Sequence, residues 1–173
     1  MKNKNLMNRI IMLLAFLLAT SSSFAQITTE EDMAKVVFKT IENNDSEALS
    51  YYCISDKRMT KAISTVTDTS AMAKSVINEL KEANHNKMKY TVIANFEKFI
   101  TEIKNKKLNL KDIKYKGLTK NKIKFDIGNL KAKKVNFNVS FDKTSYVIAM
   151  YLFVTKSDMF IYDFSFTKPE IKK

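Results

Sequence analysis

Residues 135–141 read Val-Asn-Phe-Asn-Val-Ser-Phe, and residues 160–166 read Phe-Ile-Tyr-Asp-Phe-Ser-Phe. Large apolar or aromatic side chains occupy every second position of both stretches, and residues 123–127 repeat the alternation with lysine and aspartate between them. Side chains i and i+2 of a strand share a face, so each stretch is expected to form a strand with one apolar face. The sequence therefore predicts a β-sheet in the second half of the chain.

The strands of this sheet are predicted to be antiparallel. Turn residues such as Gly117, the pair Gly128-Asn129 and the pair Asp142-Lys143 separate strand patterns that cover residues 108–116, 122–127, 134–141, 145–155 and 159–167. Connections this short favour an antiparallel meander, because parallel strands need long crossovers. The first two patterns would form a hairpin over residues 108–127, with Ile113, Tyr115, Ile123 and Phe125 facing inward.

Residues 28–104 have the helical period instead. Apolar side chains recur three and four positions apart in five segments, which begin near Thr29, Asp45, Asp56, Ser70 and Met88. Helices followed by strands are typical of the α+β class. We expect N-terminal helices packed on one face of a curved antiparallel sheet of about four or five strands, in a cone-like arrangement.

The pattern at residues 145–154 is apolar on both faces. A strand buried on both sides needs cover on both sides, and helices on one face supply only half of it. Two explanations remain open: a loop or the curvature of the sheet covers the second face, or two copies of the chain form a homodimer through it.

The first 25 residues have the composition of a secretory signal peptide. Lys2, Lys4 and Arg9 precede an apolar run over residues 10–19, and small residues lead up to Ala25. Cleavage after Ala25 would leave residues 26–173 as one domain in the periplasm or outside a bacterial cell. The alternative is an uncleaved anchor, for which the run is about half of the roughly 20 apolar residues that a spanning helix needs. Cys53 is the only cysteine, which excludes an internal disulfide, and we expect it to be buried.

Residues 36–49 and 146–166, near the two ends of the region that follows the predicted cleavage site, resemble the NTF2-like (cystatin-like α+β) superfamily, in its small secreted bacterial members. Residues 36–49, VVFKTIENNDSEAL, are similar to the opening helix, polar turn and second helix, and residues 146–166 resemble the closing hairpin. The resemblance implies a curved sheet wrapped around helices, often with an apolar pocket and often dimeric. Residues 56–104 depart from the family pattern, because they contain two or three helices and no clear early strand.

Positive charge is concentrated in one part of the chain. The net charge is +12, and residues 104–134 contain twelve lysines against only Asp112 and Asp126. We expect an outer face of the 108–127 hairpin that carries Lys114, Lys116, Lys122 and Lys124. This face either keeps the protein soluble and discourages edge pairing, or it contacts an anionic membrane or glycan. Nucleic acid is disfavoured, because arginine is scarce and the aromatic side chains of the hairpin point away from the lysines.

Aromatic side chains are the candidates for a ligand site. Tyr52, Tyr115, Phe125, Tyr151 and Tyr162 are predicted to line a cavity that would suit a small hydrophobic ligand, although plain core packing also explains them. The family's enzymes use an Asp/His pair, but His85 lies in the polar turn Asn84-His85-Asn86 without a motif, so no catalytic residue is assigned. No metal, cofactor or phosphate-loop motif occurs. We therefore predict a non-catalytic envelope protein that binds a small apolar ligand or a protein partner, or alternatively an anionic surface.

Overall fold

A computed structural model describes residue 27, residues 29–141 and residues 144–167, with only the backbone of Lys120 and Asn121. Within these ranges there are five α-helices: α1 (Glu30–Asn43), α2 (Ser46–Ser50), α3 (Asp56–Ser64), α4 (Ala71–Glu82) and α5 (His85–Asn105). Four strands follow: β1 (Lys114–Ile127), β2 (Leu130–Phe141), β3 (Thr144–Val154) and β4 (Met159–Thr167). The predicted signal peptide and the predicted turn at residues 142–143 lie outside the described residues.

The strands form one antiparallel sheet in the order β1-β2-β3-β4. Register shifts interrupt three places in the β1–β2 pairing and one in the β3–β4 pairing. Such bulges bend strands and increase their twist, which accounts for the curvature of the sheet. The predicted α+β class, with helices preceding a curved antiparallel sheet, is confirmed. None of the described helices is both long and apolar enough to cross a lipid bilayer.

Side-chain oxygens determine where the helices begin. Thr29 accepts a hydrogen bond from the backbone of Asp32, and Ser70 accepts one from the backbone of Ala73. These bonds satisfy amide groups that have no partner within the first helical turn. The predicted starts of α1 and α4 are confirmed. The last helix begins at His85 and not near Met88, because Asn84 accepts a hydrogen bond from the backbone of Lys87 and caps it earlier.

The prediction of a hairpin over residues 108–127 is wrong. Residues 110–112 form a 3₁₀ turn, and β1 then runs without reversal from Lys114 to Ile127. Gly117 does not break the strand: its φ of +89° places it in a bulge, a conformation that glycine adopts without steric cost. Two predicted strands therefore become part of one long edge strand. Ile123 lies on the same face as Leu152 but is not buried, since it is 55% exposed, whereas Phe125 lies on the opposite face with Phe153.

Two apolar clusters lie on opposite faces of the sheet. Leu152 belongs to the larger cluster, with α1, α2 and α5, and its neighbour Phe153 belongs to the smaller one, with α3 and α4. Successive side chains of a strand point to opposite faces, so the two clusters are separated by the sheet. We call the face that carries Leu152 the inner face and the face that carries Phe153 the outer face.

The smaller cluster explains why β3 is apolar on both sides. Phe153 contacts Phe125 at 6.0 Å and Phe160 at 5.7 Å between ring centroids, and apolar residues of α3 and α4 cover this end of the outer face. A pair of helices therefore supplies the cover at this end, in place of the loop or sheet curvature considered from the sequence. Further along β3, Val147 and Tyr151 remain partly exposed on the same face.

The two edge strands of the sheet are protected from pairing with another chain in different ways. Along β4, the backbone of Ile161 exchanges hydrogen bonds with Tyr52 and Ile54, and the Asn95 side chain donates to the carbonyl oxygen of Phe164 at 2.9 Å. The β1 edge instead carries exposed lysines. Charged side chains on an edge strand oppose pairing with another chain. The lysines of β1 therefore have a structural role whatever else they bind.

Candidate functional site

A row of side chains crosses all four strands on the outer face. Lys122 of β1 lies opposite Lys134 of β2, Lys134 lies opposite Tyr151 of β3, and Tyr151 lies opposite Asp163 of β4. Residues that face each other across antiparallel strands have their side chains side by side on one face. The register of the sheet thus assembles two lysines, a tyrosine and an aspartate.

The ring of Tyr151 is the centre of this row. Nζ of Lys134 lies 5.4 Å from the ring centroid, and Nζ of Lys124 lies 6.0 Å from it. Both distances allow a cation–π interaction. Tyr162 meets Tyr151 edge-on at 6.0 Å and stacks on Phe153 at 4.2 Å. We call the following five residues the outer-face site: Lys122, Lys124, Lys134, Tyr151 and Tyr162.

The lysines of the outer-face site differ from neighbouring lysines in that they have no carboxylate partner among the described residues. Nζ of Lys131 lies 2.7 Å from a carboxylate oxygen of Asp126, and Lys133 contacts the carboxylate of Glu30. In the part of the chain that the structure describes, no lysine of the outer-face site forms an ion pair. Directly opposed like charges, as at Lys122 and Lys134, destabilise a sheet. The site therefore presents positive charge that no carboxylate of the described residues neutralises.

Titration of Tyr162 does not alter this charge near neutral pH. Burial, with smaller effects from the nearby Asp163 and Tyr151, raises the pKa of Tyr162 to about 12. Its hydroxyl therefore keeps its proton and remains a neutral hydrogen-bond donor. Asp163 supplies a negative charge at the β4 end of the row, where its carboxylate accepts a hydrogen bond from the backbone of Phe164 at 2.8 Å.

A polar strip continues the site along the strands. Asn136 lies opposite Ala149, which lies opposite Ser165, and Asn138 lies opposite Val147. The side-chain carbonyl oxygens of Asn136 and Asn138 are shielded from solvent and have no hydrogen-bond partner among the described residues. A shielded acceptor without a donor costs free energy.

The five aromatic residues predicted to bind a ligand do not share one cavity. Phe125, Tyr151 and Tyr162 lie together on the outer face, as the ring contacts show. Tyr115 lies on the inner face, with its ring centroid 5.6 Å from that of Phe38, and burial raises the pKa of its hydroxyl above the ordinary value. Tyr52 lines a surface groove of about 330 Å³ between α1 and α2. The sequence could not predict that these aromatic residues lie in three different places, because it does not reveal which face of a strand is turned toward the helices.

The four lysines predicted to form one cluster are all exposed, but they are not grouped as expected. In the absence of the hairpin, Lys114 and Lys116 lie near one end of β1 and Lys122 and Lys124 near the other. Eight positions along a strand correspond to roughly 25 Å at about 3.3 Å per residue. Only the second pair reaches the outer-face site. Lys134, Asn136 and Asn138 were missed, although their alternation with buried residues of β2 was visible in the sequence.

His85 is not in a solvent-exposed loop, as the sequence suggested, because it is buried and only 6% exposed. Its Nε2 lies 2.9 Å from the carbonyl oxygen of Leu80, and its Nδ1 lies 2.8 Å from Oδ1 of Asp56. A carbonyl oxygen only accepts, so Nε2 donates to it. Both ring nitrogens of His85 are therefore engaged in contacts within the protein.

Neither metal-ligand clusters nor similarity to known proteins identifies a function for this chain. Among the described residues, no three His, Cys, Asp or Glu side chains come together as metal ligands would. The chain matches no protein-family model, no curated protein and no solved structure. Membership of the NTF2-like superfamily therefore stays a prediction.

Proposed function

We propose that this protein is an exported, non-catalytic binding module that holds anionic ligands at the outer-face site. The observation that carries this proposal is the position of Lys124 and Lys134, whose ammonium groups lie 6.0 Å and 5.4 Å from the centroid of the Tyr151 ring and form no ion pair with a described carboxylate. Cation–π contacts keep both ammonium groups near the surface and oriented, while their charge remains available. An anionic ligand would supply the missing counter-charge.

The interior supports binding at the surface and not in a deep pocket. The space between the helices and the inner face is filled by large side chains that are fully buried, including Phe96, Phe99, Phe137, Tyr146 and Phe164. Phe99 and Tyr146 meet edge-on at 5.4 Å, and Phe96 and Phe164 at 6.1 Å. Close packing of this kind leaves little room for a ligand.

The experiment measures binding of labelled inorganic polyphosphate, a plain polyanion, over a series of salt concentrations. The variant Lys122→Gln/Lys124→Gln/Lys134→Gln is expected to bind at least roughly tenfold more weakly than wild type, with a shallower salt dependence. The matched control is Lys57→Gln/Lys74→Gln/Lys87→Gln, which removes the same charge from exposed positions on the helical side. Equal weakening by both variants would show that only the total charge matters and would overturn the proposal.

A small apolar ligand is the second candidate, and the groove between α1 and α2 favours it. Val36, Ala48 and Tyr52 contribute to its lining, and its volume of about 330 Å³ lies within the range of small-molecule sites. Native mass spectrometry of the exported protein would reveal a retained ligand at this groove, and Tyr52→Ala would release it. The same spectra test the predicted homodimer, because they report the mass of the intact assembly. Val147 and Tyr151, which are partly exposed on the outer face, would lie at the centre of its interface.

A further inference from the structure

We propose that strand β1 is a docking edge for an extended acidic peptide, which adds a further strand to the sheet. This inference rests on the proposed function, because the acidic side chains of the peptide meet lysines of the outer-face site. It goes beyond that function by naming the class of partner and by assigning a role to the backbone of β1.

The backbone of β1 has hydrogen-bonding groups that are not used within the fold. This strand lies at the end of the sheet order and pairs only with β2, so alternate residues direct their amide and carbonyl groups away from the sheet. Among the described residues, no group forms a hydrogen bond with these outward groups, whereas Tyr52, Ile54 and Asn95 engage the edge along β4. A second peptide backbone matches such a row of donors and acceptors, while a polyphosphate chain supplies acceptors.

The register of β1 limits the length of the incoming segment. Shifts interrupt the pairing with β2 on both sides of residues 120–123, which pair without irregularity with residues 133–136. Bulges bend an edge strand and turn it away from a long, straight neighbour. A short extended segment therefore fits this edge better than a long strand does.

The side chains of Lys122 and Ile123 specify the two faces of that segment. Lys122 is exposed on the outer face, where Lys124 approaches the ring of Tyr151. Ile123 lies opposite Lys133 on the inner face, and more than half of its side chain is accessible. A strand beside β1 places its own alternate residues next to these two faces. Its acidic side chains then meet the lysines, and the apolar side chains between them cover Ile123.

A second copy of the chain is a poor occupant of this edge. Residues 114–124 contain five lysines and no acidic residue. Pairing of β1 with the same strand of another copy would bring these lysines together, and like charges across strands oppose pairing. The same charges attract an acidic strand, so repulsion and attraction together select the partner.

The test uses a labelled peptide in which glutamate and valine alternate, and fluorescence anisotropy measures its binding. Two further peptides carry N-methyl groups on the backbone amides of either the valines or the glutamates. In a strand, the amides of successive residues point to opposite edges, so only one of the two sets faces β1. We expect one methylated peptide to bind at least about tenfold more weakly than the unmethylated peptide, and the other to bind within about twofold of it.

Protein variants separate the edge from the lysine charge. Ile123→Thr keeps a residue that suits strands, and it should bind the peptide about fivefold more weakly while polyphosphate binding stays unchanged. Lys122→Gln/Lys124→Gln should weaken the binding of both ligands. The matched control is Met72→Gln, which removes a similarly exposed apolar side chain from α4 and should bind both ligands as wild type does.

The outcomes distinguish this proposal from the proposed function. Equal binding by the two methylated peptides, a lack of binding by the unmethylated peptide, or peptide binding that Ile123→Thr leaves unchanged would overturn the docking edge. The proposed function still stands in that case, provided that polyphosphate binding depends on the lysines of the outer-face site. If neither the peptide nor polyphosphate binds in a lysine-dependent manner, both proposals fail.

Discussion

Nδ1 of His85 lies 2.8 Å from Oδ1 of Asp56, although 29 residues separate them in the chain. His85 is the first residue of α5, Asp56 is the first residue of α3, and the second ring nitrogen of His85 reaches the carbonyl oxygen of Leu80 in the last turns of α4. One buried imidazole thus joins the ends of three helices.

Replacement of this imidazole should destabilise the fold. His85→Ala removes the donor to Leu80 and leaves a space at the helix junction, so we expect the free energy of unfolding to fall by about 2–3 kcal/mol. Asp56→Asn is the milder variant, with a loss of at most about 1 kcal/mol, because an amide can still hydrogen-bond to Nδ1 and the side chain is mostly exposed. Urea unfolding followed by circular dichroism measures both. Equal stability of His85→Ala and wild type would contradict the three-helix junction.

Glu30 connects the start of α1 to β2 through Lys133. The hydrogen bond from Lys133 lowers the pKa of Glu30 below its ordinary value of 4.5. A carboxyl group whose pKa is lowered by folding stabilises the folded state above 4.5, and this contribution disappears as the pH falls through the lowered value. The Glu30 side chain is 23% exposed, so solvent still screens the pair, and Glu30→Gln should cost about 0.5–1 kcal/mol at pH 7 and almost nothing at pH 2–3.

The same unfolding experiment at both pH values tests this ion pair. Glu42 provides the control, because its partner Lys39 lies on the same helix and not on another element. Glu42→Gln should therefore not loosen the contact between α1 and β2. A Glu30→Gln effect that is independent of pH would show that the pair does not contribute through its charge.

The thiol of Cys53 is expected to be unreactive in the folded protein. Burial raises its pKa to about 12, and its Sγ donates to the carbonyl oxygen of Leu49 at 3.4 Å. Only the thiolate is a strong nucleophile, so labelling with a disulfide reagent at pH 8 should be negligible in buffer and reach one equivalent per chain in denaturant. Rapid labelling of the folded protein would mean that the segment beside β4 opens readily.

Gly128 determines the turn between β1 and β2. Its φ is +76°, and it occupies the first central position of the two-residue connection between Ile127 and Leu130, as in a type II′ turn. Gly128→Ala forces a side chain into this conformation and should lower the free energy of unfolding by about 1 kcal/mol. Thermal unfolding measures this loss of stability. Gly128→Asn is the matched control: because asparagine tolerates a positive φ better than alanine does, it should be more stable than Gly128→Ala. An Ala variant as stable as wild type would exclude strain at this turn.

The periodicity of the sequence was sufficient for the fold class and insufficient for the details of β1. Alternation over residues 135–141 predicted β2 correctly, because its apolar side chains enter the larger cluster. At residues 110–112 the same alternation was misleading: the spacing of a few apolar residues in a lysine-rich stretch does not distinguish a strand from a 3₁₀ turn. Ile123 looked like a core residue but lies on an edge strand, beyond the reach of the helices.

The candidate site depended even more on the tertiary structure. Lys122 and Lys124 could be recognised as unusual from composition alone. Their partners Lys134 and Tyr151 come from other strands and are selected by register, in which a shift of one residue would move every side chain to the other face. Local pattern carries no information on register between strands that are separated by a turn and a bulge.

By itself the sequence determined that helices come first, that an antiparallel sheet follows, and that positive charge gathers at the start of that sheet. These properties follow from side-chain spacing and composition, which are local. The tertiary structure alone decided that the outer face is covered by α3 and α4 at one end and open at the other, that His85 joins three helix ends, and that unpaired lysines surround Tyr151. Those relationships arise from contacts between distant segments, and burial and strand register establish them only when the whole chain is packed.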